Sequence, residues 1–320
     1  MGTSSTLRPA EVAAAFVELA VIKHRTRLDI IFFKAFLAGV MLSFGGLLSE
    51  VIQGGAPGLN TSNPGIVKVL GGFVFPVGLV MIVLQGQELL TSNMMIFPMA
   101  VMKHAIPWWS LPLNWLVVTF GNLVGCLFFA AILVKYSGVL STAPYDTFVQ
   151  TFAMCAMTLF LHGISYSHML SRSIVSHKAG DPEWHQIFLR GIGCNWLVSV
   201  AVWQAAGATE TISKVFAIWI PIWIFVACGY DHVVANMFSV PLGIMFHANL
   251  TTAEYIRKSF IAAYIGNIVG ALFVAIPAVY FYLSDYRAGG LVDAEAGGAY
   301  AEKMTEIQSE ADGNGHKRED

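Results

Sequence analysis

The sequence predicts an all-α polytopic membrane protein with six transmembrane helices, arranged as two inverted three-helix repeats in which helices 2 and 5 are broken. Of its 320 residues, 56% are hydrophobic and only 12% are charged, whereas roughly 25% are charged in an average soluble domain. The charged residues lie mainly in the first 27 positions, around 172–190 and after Asp285, and long apolar runs separate these clusters. Two of the runs contain matching polar interruptions, and these predict the repeat.

The same composition excludes several classes of function. Lys and Arg number 18 against 20 Asp and Glu, a formal net charge of −2, which argues against a nucleic-acid-binding protein. The four cysteines lie singly in apolar runs with no CxxC pair, so neither a zinc site nor a disulfide framework is indicated. No motif for a metal site, an activated nucleophile or a phosphate-binding loop is present. We therefore expect a protein that is not an enzyme and that uses neither a metal nor another cofactor.

The chain divides into five segments. Residues 1–28 contain an amphipathic pattern at 9–24 followed by basic residues at 23–27, which predicts a cytosolic helix with its basic end at the lipid headgroups. Spans of about 20 or more residues form a first repeat at 29–135 and a second at 186–285. The predicted spans are 29–53, 69–102 with a break, 112–134, 186–206, 214–246 with a break, and 260–284. Residues 286–320 predict a disordered cytosolic tail.

The segment between the repeats, 136–185, is predicted to be an extracellular loop. Residues 152–168 are apolar enough to resemble a short seventh span, but a seventh span would reverse the last three helices and destroy the inverted symmetry. We therefore expect an insertion at about 153–175, which either lies on the membrane or is an artefact of gene-model translation. With six spans, the N-terminus and the C-terminus are both cytosolic.

Internal matches define the repeat. GQELLTSNMM at 86–95 aligns with GYDHVVANMF at 229–238, and GNLVG at 121–125 aligns with GNIVG at 266–270. Lys34 of the first span aligns with Arg190 of the fourth. Because each half has three spans, an odd number, the second half enters the membrane upside down. Paired broken helices at matching positions indicate a transport site near the middle of the membrane.

The two interruptions carry polar groups at membrane depth. Such groups would cost several kcal/mol if they faced lipid, so they line a cavity or are buried in protein. The free N–H groups at the start of each resumed half-helix favour an anion. We expect Thr91, Ser92 and Asn93 to cap the first half-helix and Asn236 to cap the second.

Three titratable residues lie in the breaks. We expect Glu88 and Asp231 to accept hydrogen bonds from backbone N–H groups of their own turns rather than to contact a substrate. His232 exchanges a proton near neutral pH and is predicted to donate a proton or a hydrogen bond to an anion in transit. The alternative for His232 is a buried neutral imidazole that binds a neighbouring group.

The motifs of four spans resemble those of the formate/nitrite transporter family. They are GxELxTSNMM in the second span, GNLVG in the third, GIGCNWLV in the fourth and GYDHVVANMFSVPLG in the fifth. The resemblance covers about 10–285 apart from the insertion, and HQIFLRGIGCNWLV is similar to fungal members, which implies a plasma-membrane location. It implies an aquaporin-like protomer with its own pore, a homopentamer in the lipid bilayer, and a small monovalent anion as substrate. That substrate is nitrite or formate, or alternatively hydrosulfide or a short monocarboxylate such as lactate or acetate.

The resemblance also implies roles for individual residues, carried over by motif. The substrate pathway comprises His232, Thr91, Asn195, Asn236, Lys34 and Lys178. The hydrophobic constrictions are Phe75, Leu79, Leu90 and Phe225. The structural polar residues of the broken helices are Glu88, Asp231, Asn93, Asn122 and Asn267. Leu90 stands where the family commonly has Phe, and Asp231 where it commonly has Glu.

These expectations combine into a mechanism. Lysine-lined vestibules concentrate an anion, but a bare charge that crosses an apolar ring is strongly disfavoured by desolvation. Protonation removes that penalty, so we expect H⁺-coupled transport with passage as the neutral acid. A membrane receptor or scaffold whose tail carries the function is a further alternative. The duplicated breaks argue against it, because a scaffold needs no polar loops at membrane depth.

Overall fold

The protein is a bundle of α-helices. The computed structural model describes residues 6–155 and 183–284, and the regular elements within these ranges are helical. They are α1 (Pro9–Arg25), α2 (Leu28–Gly54), α3 (Pro57–Ser62), α4 (Pro64–Val74), α5 (Val77–Leu84), α6 (Leu90–Met102), α7 (Ser110–Tyr136), α8 (Tyr145–Cys155), α9 (Trp184–Gly207), α10 (Thr211–Cys228), α11 (Val233–Met245) and α12 (Thr252–Tyr282). Two stretches inside these helices are π-helical, Phe129–Tyr136 of α7 and Tyr255–Phe260 of α12.

The predicted fold class is confirmed. Five helical spans in the described part of the chain are long and apolar enough to cross a membrane: α2, α4 with α5, α7, α10 and α12. Helix α9 occupies the predicted fourth span with 24 residues, but polar side chains such as Arg190 and Asn195 lower its hydropathy. The short apolar helices α6 and α11 resume the second and fifth spans after their breaks.

The second span begins earlier than the sequence predicts and has an additional interruption. Helix α4 begins at Pro64, five residues before the predicted start of the span at 69, and α3 lies between the first two predicted spans. Both helices have a proline in the first turn, where its missing N–H and fixed φ suit a helix start. Phe75 and Pro76 separate α4 from α5.

The predicted loop 136–185 contains a helix. Helix α8 packs against α11 and α2 and buries Phe148, Val149 and Ala153. These residues are spaced as on one helix face, and a helix of 11 residues fits within what the sequence treats as loop. The predicted insertion from residue 156 onwards, Lys178 and the predicted tail 286–320 lie outside the described residues.

The internal repeat extends to helix packing. Helix α2 packs on α7 so closely that a Cβ at Gly125 would overlap the carbonyl oxygen of Phe36. Helix α9 packs on α12, where a Cβ at Gly270 would overlap the carbonyl oxygen of Ile192 in the same way. The sequence matches pair these same positions across the halves. Both pairs of helices therefore depend on glycine at equivalent contacts.

Substitution at this contact should be costly. We predict that Gly125→Ala lowers the free energy of unfolding by about 1–3 kcal/mol, because overpacking against rigid backbone outweighs the gain in helix propensity. Gly58→Ala is the matched control, because a Cβ there meets nothing within 4 Å. Thermal unfolding of the purified protein in detergent measures both. Equal unfolding temperatures for the two variants would show that the α2–α7 contact tolerates a side chain.

Candidate functional site

Both interrupted helices turn at a glycine in the left-handed conformation. Gly86 follows α5 with φ of 64°, and Gly229 follows α10 with φ of 75°. A residue with a side chain rarely adopts these angles. The two glycines are equivalent in the repeat, so each half makes the same turn before its half-helix resumes.

Asn122 of α7 holds the first break. Its Oδ1 accepts a hydrogen bond from the backbone N–H of Leu90 at 3.0 Å, the first residue of α6. Its Nδ2 donates to the carbonyl oxygens of Ala35 at 2.8 Å and Glu88 at 2.9 Å. One buried side chain thus joins α2, the broken loop and the start of α6.

Asn267 of α12 holds the second break in the same way. Its Oδ1 accepts from the N–H of Val233 at 2.9 Å, and its Nδ2 donates to the carbonyl oxygens of Gly191 and Asp231, both at 2.9 Å. Each half-helix start is therefore satisfied by a side chain from a neighbouring helix.

The predicted caps were wrong. In the first half the residue at the cap position is Leu89, which makes no side-chain cap, so Thr91, Ser92 and Asn93 do not cap α6. In the second half His232, not Asn236, is the cap. Sequence reasoning considers only local caps, whereas these N–H groups also bind asparagines about 30 residues away.

His232 makes two hydrogen bonds that fix its tautomer. Its Nδ1 accepts from the backbone N–H of Ala235 at 3.0 Å, so Nδ1 carries no proton. A neutral imidazole then has its proton on Nε2, which lies 3.0 Å from Oγ1 of Thr91. The buried histidine is therefore a neutral side chain that donates a hydrogen bond to a hydroxyl group from the opposite break.

An aromatic pair adjoins His232. The rings of Phe75 and Phe225 meet edge to face with centroids 5.9 Å apart, and Phe225 stacks on the imidazole at 5.8 Å. Leu79 and Leu90 are buried in the same apolar core. The structure thus places the predicted constriction residues in the interior, with Phe225 against His232 and Phe75 against Phe225.

A cavity of about 150 Å³ adjoins the aromatic pair. Five residues singled out from the sequence line it: His232, Asn236, Asp231, Phe75 and Phe225. Its lining also includes two basic residues, Lys68 and Arg190, and the acidic residue Glu50. The wall of the cavity therefore combines aromatic residues with polar ones, both basic and acidic.

Three predicted pathway residues, Thr91, Asn195 and Lys34, do not line this cavity. Asn195 donates from Nδ2 to the carbonyl oxygens of Thr91 at 3.2 Å and Asn267 at 2.8 Å, so it supports the two breaks. Lys34 is partly exposed beside the first break, where its carbonyl oxygen accepts from the N–H of Glu88 at 3.5 Å. Within residues 6–155 and 183–284, no group of three His, Cys, Asp or Glu side chains could hold a metal ion.

Glu88 pairs with the N-terminal helix, which the sequence does not predict. Its Oε2 accepts from Nζ of Lys23 and from Nδ2 of Asn93, both at 2.8 Å. Lys23 also donates to Oδ1 of Asn93 at 2.8 Å, and Nδ2 of Asn93 donates to Oδ1 of Asn114 at 2.9 Å. The predicted bonds to backbone N–H groups and the predicted headgroup position of Lys23 are therefore both wrong, because α1 packs on α6.

The second break has a different carboxylate environment. Oδ1 of Asp231 accepts from Nδ2 of Asn236 at 3.3 Å, and Nδ2 of Asn236 also donates to Oγ of Ser259 at 3.2 Å. Oδ2 of Asp231 has no hydrogen-bond partner among the residues that the structure describes. Asp231, Asn236 and Ser259 match Glu88, Asn93 and Asn114 in the repeat, but no described cation pairs with Asp231 as Lys23 pairs with Glu88.

Residues 10–282 match the family described as Formate/nitrite transporter. The chain belongs to the formate/nitrite transporter family. Among the similar proteins is a probable formate transporter of Methanothermobacter thermautotrophicus, 38% identical over 286 residues, which cover 88% of this chain and 99% of that protein. An uncharacterised transporter of Saccharomyces cerevisiae is 32% identical over 88% of this chain and 41% of its own length.

A solved structure gives the same result. A pentameric formate channel with formate bound matches this formate/nitrite transporter with a TM-score of 0.62 and 28% identity, over 80% of this chain and 98% of that one. The family resemblance predicted from the motifs is confirmed.

Sequence reasoning missed Lys23 and Glu50 as residues of this transporter's site. Glu50 lies inside the predicted first span, where an ionisable side chain in an apolar run is by itself a signal of function. Lys23 offers no such signal, because its partner Glu88 is 65 residues away in the sequence and a basic cluster after an amphipathic helix is typical of a headgroup position.

The ion pair between Lys23 and Glu88 should be essential for stability. The two side chains are 12% and 6% exposed, so we predict that Lys23→Met, which leaves a buried charge unpaired, costs about 3–5 kcal/mol of unfolding free energy. Adding Glu88→Gln should restore much of the loss. Denaturation of the wild type and of the single and double variants in mixed detergent micelles measures these changes in unfolding free energy.

The control for this cycle is Arg27→Met. Arg27 pairs with Asp29, and their side chains are 77% and 53% exposed, so its loss should change stability by less than about 1 kcal/mol. If Lys23→Met were no more destabilising than Arg27→Met, the ion pair would not hold α1 on the bundle.

Proposed function

We propose that this protein transports formate or nitrite together with a proton across the plasma membrane, and that the substrate passes the Phe75–Phe225 pair as the neutral acid. The observation that carries the proposal is the hydrogen bond between His232 and Thr91, which lies beside that aromatic pair at the end of a polar cavity. Membership of the family and the relatives named as formate transporter and formate channel support it.

The charged residues around the cavity favour the binding of an anion that is then protonated to a neutral acid. Lys68 and Arg190 line the cavity, and positive charges in a cleft raise the local concentration of anions. A bare anion between two phenyl rings would lose its hydration without compensation, whereas a neutral acid would not. The Nε2–H of His232 and the hydroxyl of Thr91 then offer the neutral acid hydrogen bonds at the narrowest point.

The size of the cavity favours a small substrate. A chamber of about 150 Å³ accommodates formate or nitrite with a few waters, since a water takes up about 30 Å³ in the liquid. Hydrosulfide and lactate are the alternatives that the family resemblance implies. We rank formate and nitrite first, because relatives are named as formate transporter and formate-nitrite transporter.

The proposed assembly is a homopentamer in which each protomer has its own pathway. The cavity and both breaks are formed by a single chain, and the structural relative with bound formate is pentameric. Large apolar side chains such as Phe33, Phe216 and Tyr280 are exposed on the outside of the protomer. In the proposed assembly they face lipid or neighbouring protomers, and both termini are cytosolic.

Replacing the histidine tests the pathway. We predict that His232→Asn slows formate uptake into proteoliposomes roughly tenfold, because loss of one hydrogen bond of about 1.4 kcal/mol corresponds to that factor. Asparagine is a good N-cap, so α11 stays capped while the donor to Thr91 is lost. His104→Asn is the control, because His104 has a φ of 54° that asparagine tolerates. An unchanged rate and pH profile in His232→Asn would refute the role of His232.

A competition assay tests the substrate. Uptake of labelled formate by wild-type proteoliposomes should be inhibited by unlabelled nitrite at concentrations similar to those of unlabelled formate, and less by lactate, because lactate is the bulkiest of these anions and must pass between Phe75 and Phe225. Empty liposomes provide the background. No saturable formate uptake above that background at any pH would contradict the proposed function, and stronger inhibition by lactate or hydrosulfide would change its substrate.

A further inference from the structure

Glu50 is a buried carboxyl group that the family motifs do not single out. It lies near the end of α2 and is 2% exposed. Neither of its side-chain oxygens has a hydrogen bond of good geometry within the described ranges 6–155 and 183–284, and the hydroxyl group of Ser239 is its polar neighbour. An acidic side chain inside a membrane span is costly and normally faces a cavity or a pathway. The fold alone therefore does not explain why a buried acidic residue is present at position 50.

Glu50 lines the same cavity as His232. Ser49 and Gln53 of α2 line it with Glu50, so the carboxyl group belongs to a polar face of that helix. The other titratable or charged residues in the lining are Lys68 from α4, Arg190 from α9, and Tyr230, Asp231 and His232 from the second break. Helices α8 and α11 contribute Phe152, Ala235, Asn236 and Ser239, none of which titrates.

The other groups around the cavity are less suited to carry a proton. Nδ1 of His232 accepts the N–H of Ala235, so protonation there would break the cap of α11. Oδ1 of Asp231 accepts from Asn236, whose Nδ2 also donates to Ser259, so this carboxyl group is tied to the polar residues of the second break although its Oδ2 has no described partner. Lys68 and Arg190 are cationic side chains that attract the anion electrostatically. Glu50 combines burial, oxygens without a hydrogen bond of good geometry and a position on the cavity.

Glu50 also belongs to one half of the repeat only. The alignment that pairs Lys34 with Arg190 pairs Glu50 with Ala206 of α9. The scaffold therefore does not require a carboxyl group at this position. Glu50 therefore gives the cavity beside the second break a group that can exchange a proton. The equivalent position near the first break has no such group.

We propose that Glu50 carries the transported proton: its carboxyl group protonates the anion in the cavity before the substrate passes between Phe75 and Phe225. In this step the O–H bond of Glu50 breaks, an O–H bond forms on the formate or nitrite oxygen, and the electron pair stays on the Glu50 carboxylate. A hydronium ion from the aqueous side of the cavity then restores the acid. This inference rests on the proposed function.

The test is the pH profile of Glu50→Gln. Glutamine nearly preserves the shape of a neutral glutamic acid but carries no transferable proton. In proteoliposomes with fixed internal pH, uptake of labelled formate by this variant should fall about a hundredfold, the low end of what a positioned proton donor contributes, and should no longer rise as the external pH falls. Asp146→Asn, which removes a carboxyl group outside the cavity in the first turn of α8, should behave as wild type.

The outcomes separate the two proposals. Wild-type rate and pH profile in Glu50→Gln would overturn the role of Glu50 while leaving the proposed function intact. No uptake by wild type and Asp146→Asn would overturn both. If size-exclusion chromatography shows that Glu50→Gln does not assemble, Glu50→Leu replaces it, because an apolar side chain suits a buried site without hydrogen bonds. Retained pH-dependent uptake in Glu50→Leu would equally refute the proton role, and its loss would support it.

Discussion

Two buried asparagines satisfy the backbone where the second and fifth helices are interrupted, and the rest of the site depends on that interaction. Asn122 and Asn267 each bind the first N–H of a half-helix, a carbonyl group of the broken loop and a carbonyl group of a neighbouring span. Unpaired backbone groups at membrane depth would cost several kcal/mol each. With both breaks fixed in this way, Thr91 from one loop meets His232 from the other at hydrogen-bond distance.

The scaffold is nearly symmetric, but its chemistry is not. The glycines at helix contacts and the two asparagines repeat across the halves, because backbone packing and backbone hydrogen bonds impose the same demands on both. The titratable groups differ. The carboxylate of Glu88 is neutralised by Lys23, whereas Asp231 has no such partner among the described residues, and His232 occupies the position of Leu89. The two halves therefore share a packing frame and differ in their titratable groups.

The sequence was sufficient to predict the spans, the two breaks and the repeat, because these depend on hydropathy and on spacing within one segment. It was not sufficient for interactions across segments. The caps of α6 and α11 involve asparagines of other helices, and the partner of Glu88 comes from α1, so local rules assigned both incorrectly. Glu50 lay unnoticed in an apolar run, since only the cavity shows that it shares a chamber with His232.

The tautomer of His232 constrains any proton-coupled mechanism at this site. Its Nδ1 binds the N–H of Ala235, so an imidazolium ion would place a new N–H against an existing donor and leave that backbone group unsatisfied. Protonation of His232 at Nδ1 would therefore remove the cap of α11. The hydrogen bond to Thr91 and the donation of a proton to an anion would then require two different side chains. The proposed role of Glu50 as the proton donor therefore complements, rather than duplicates, that of His232.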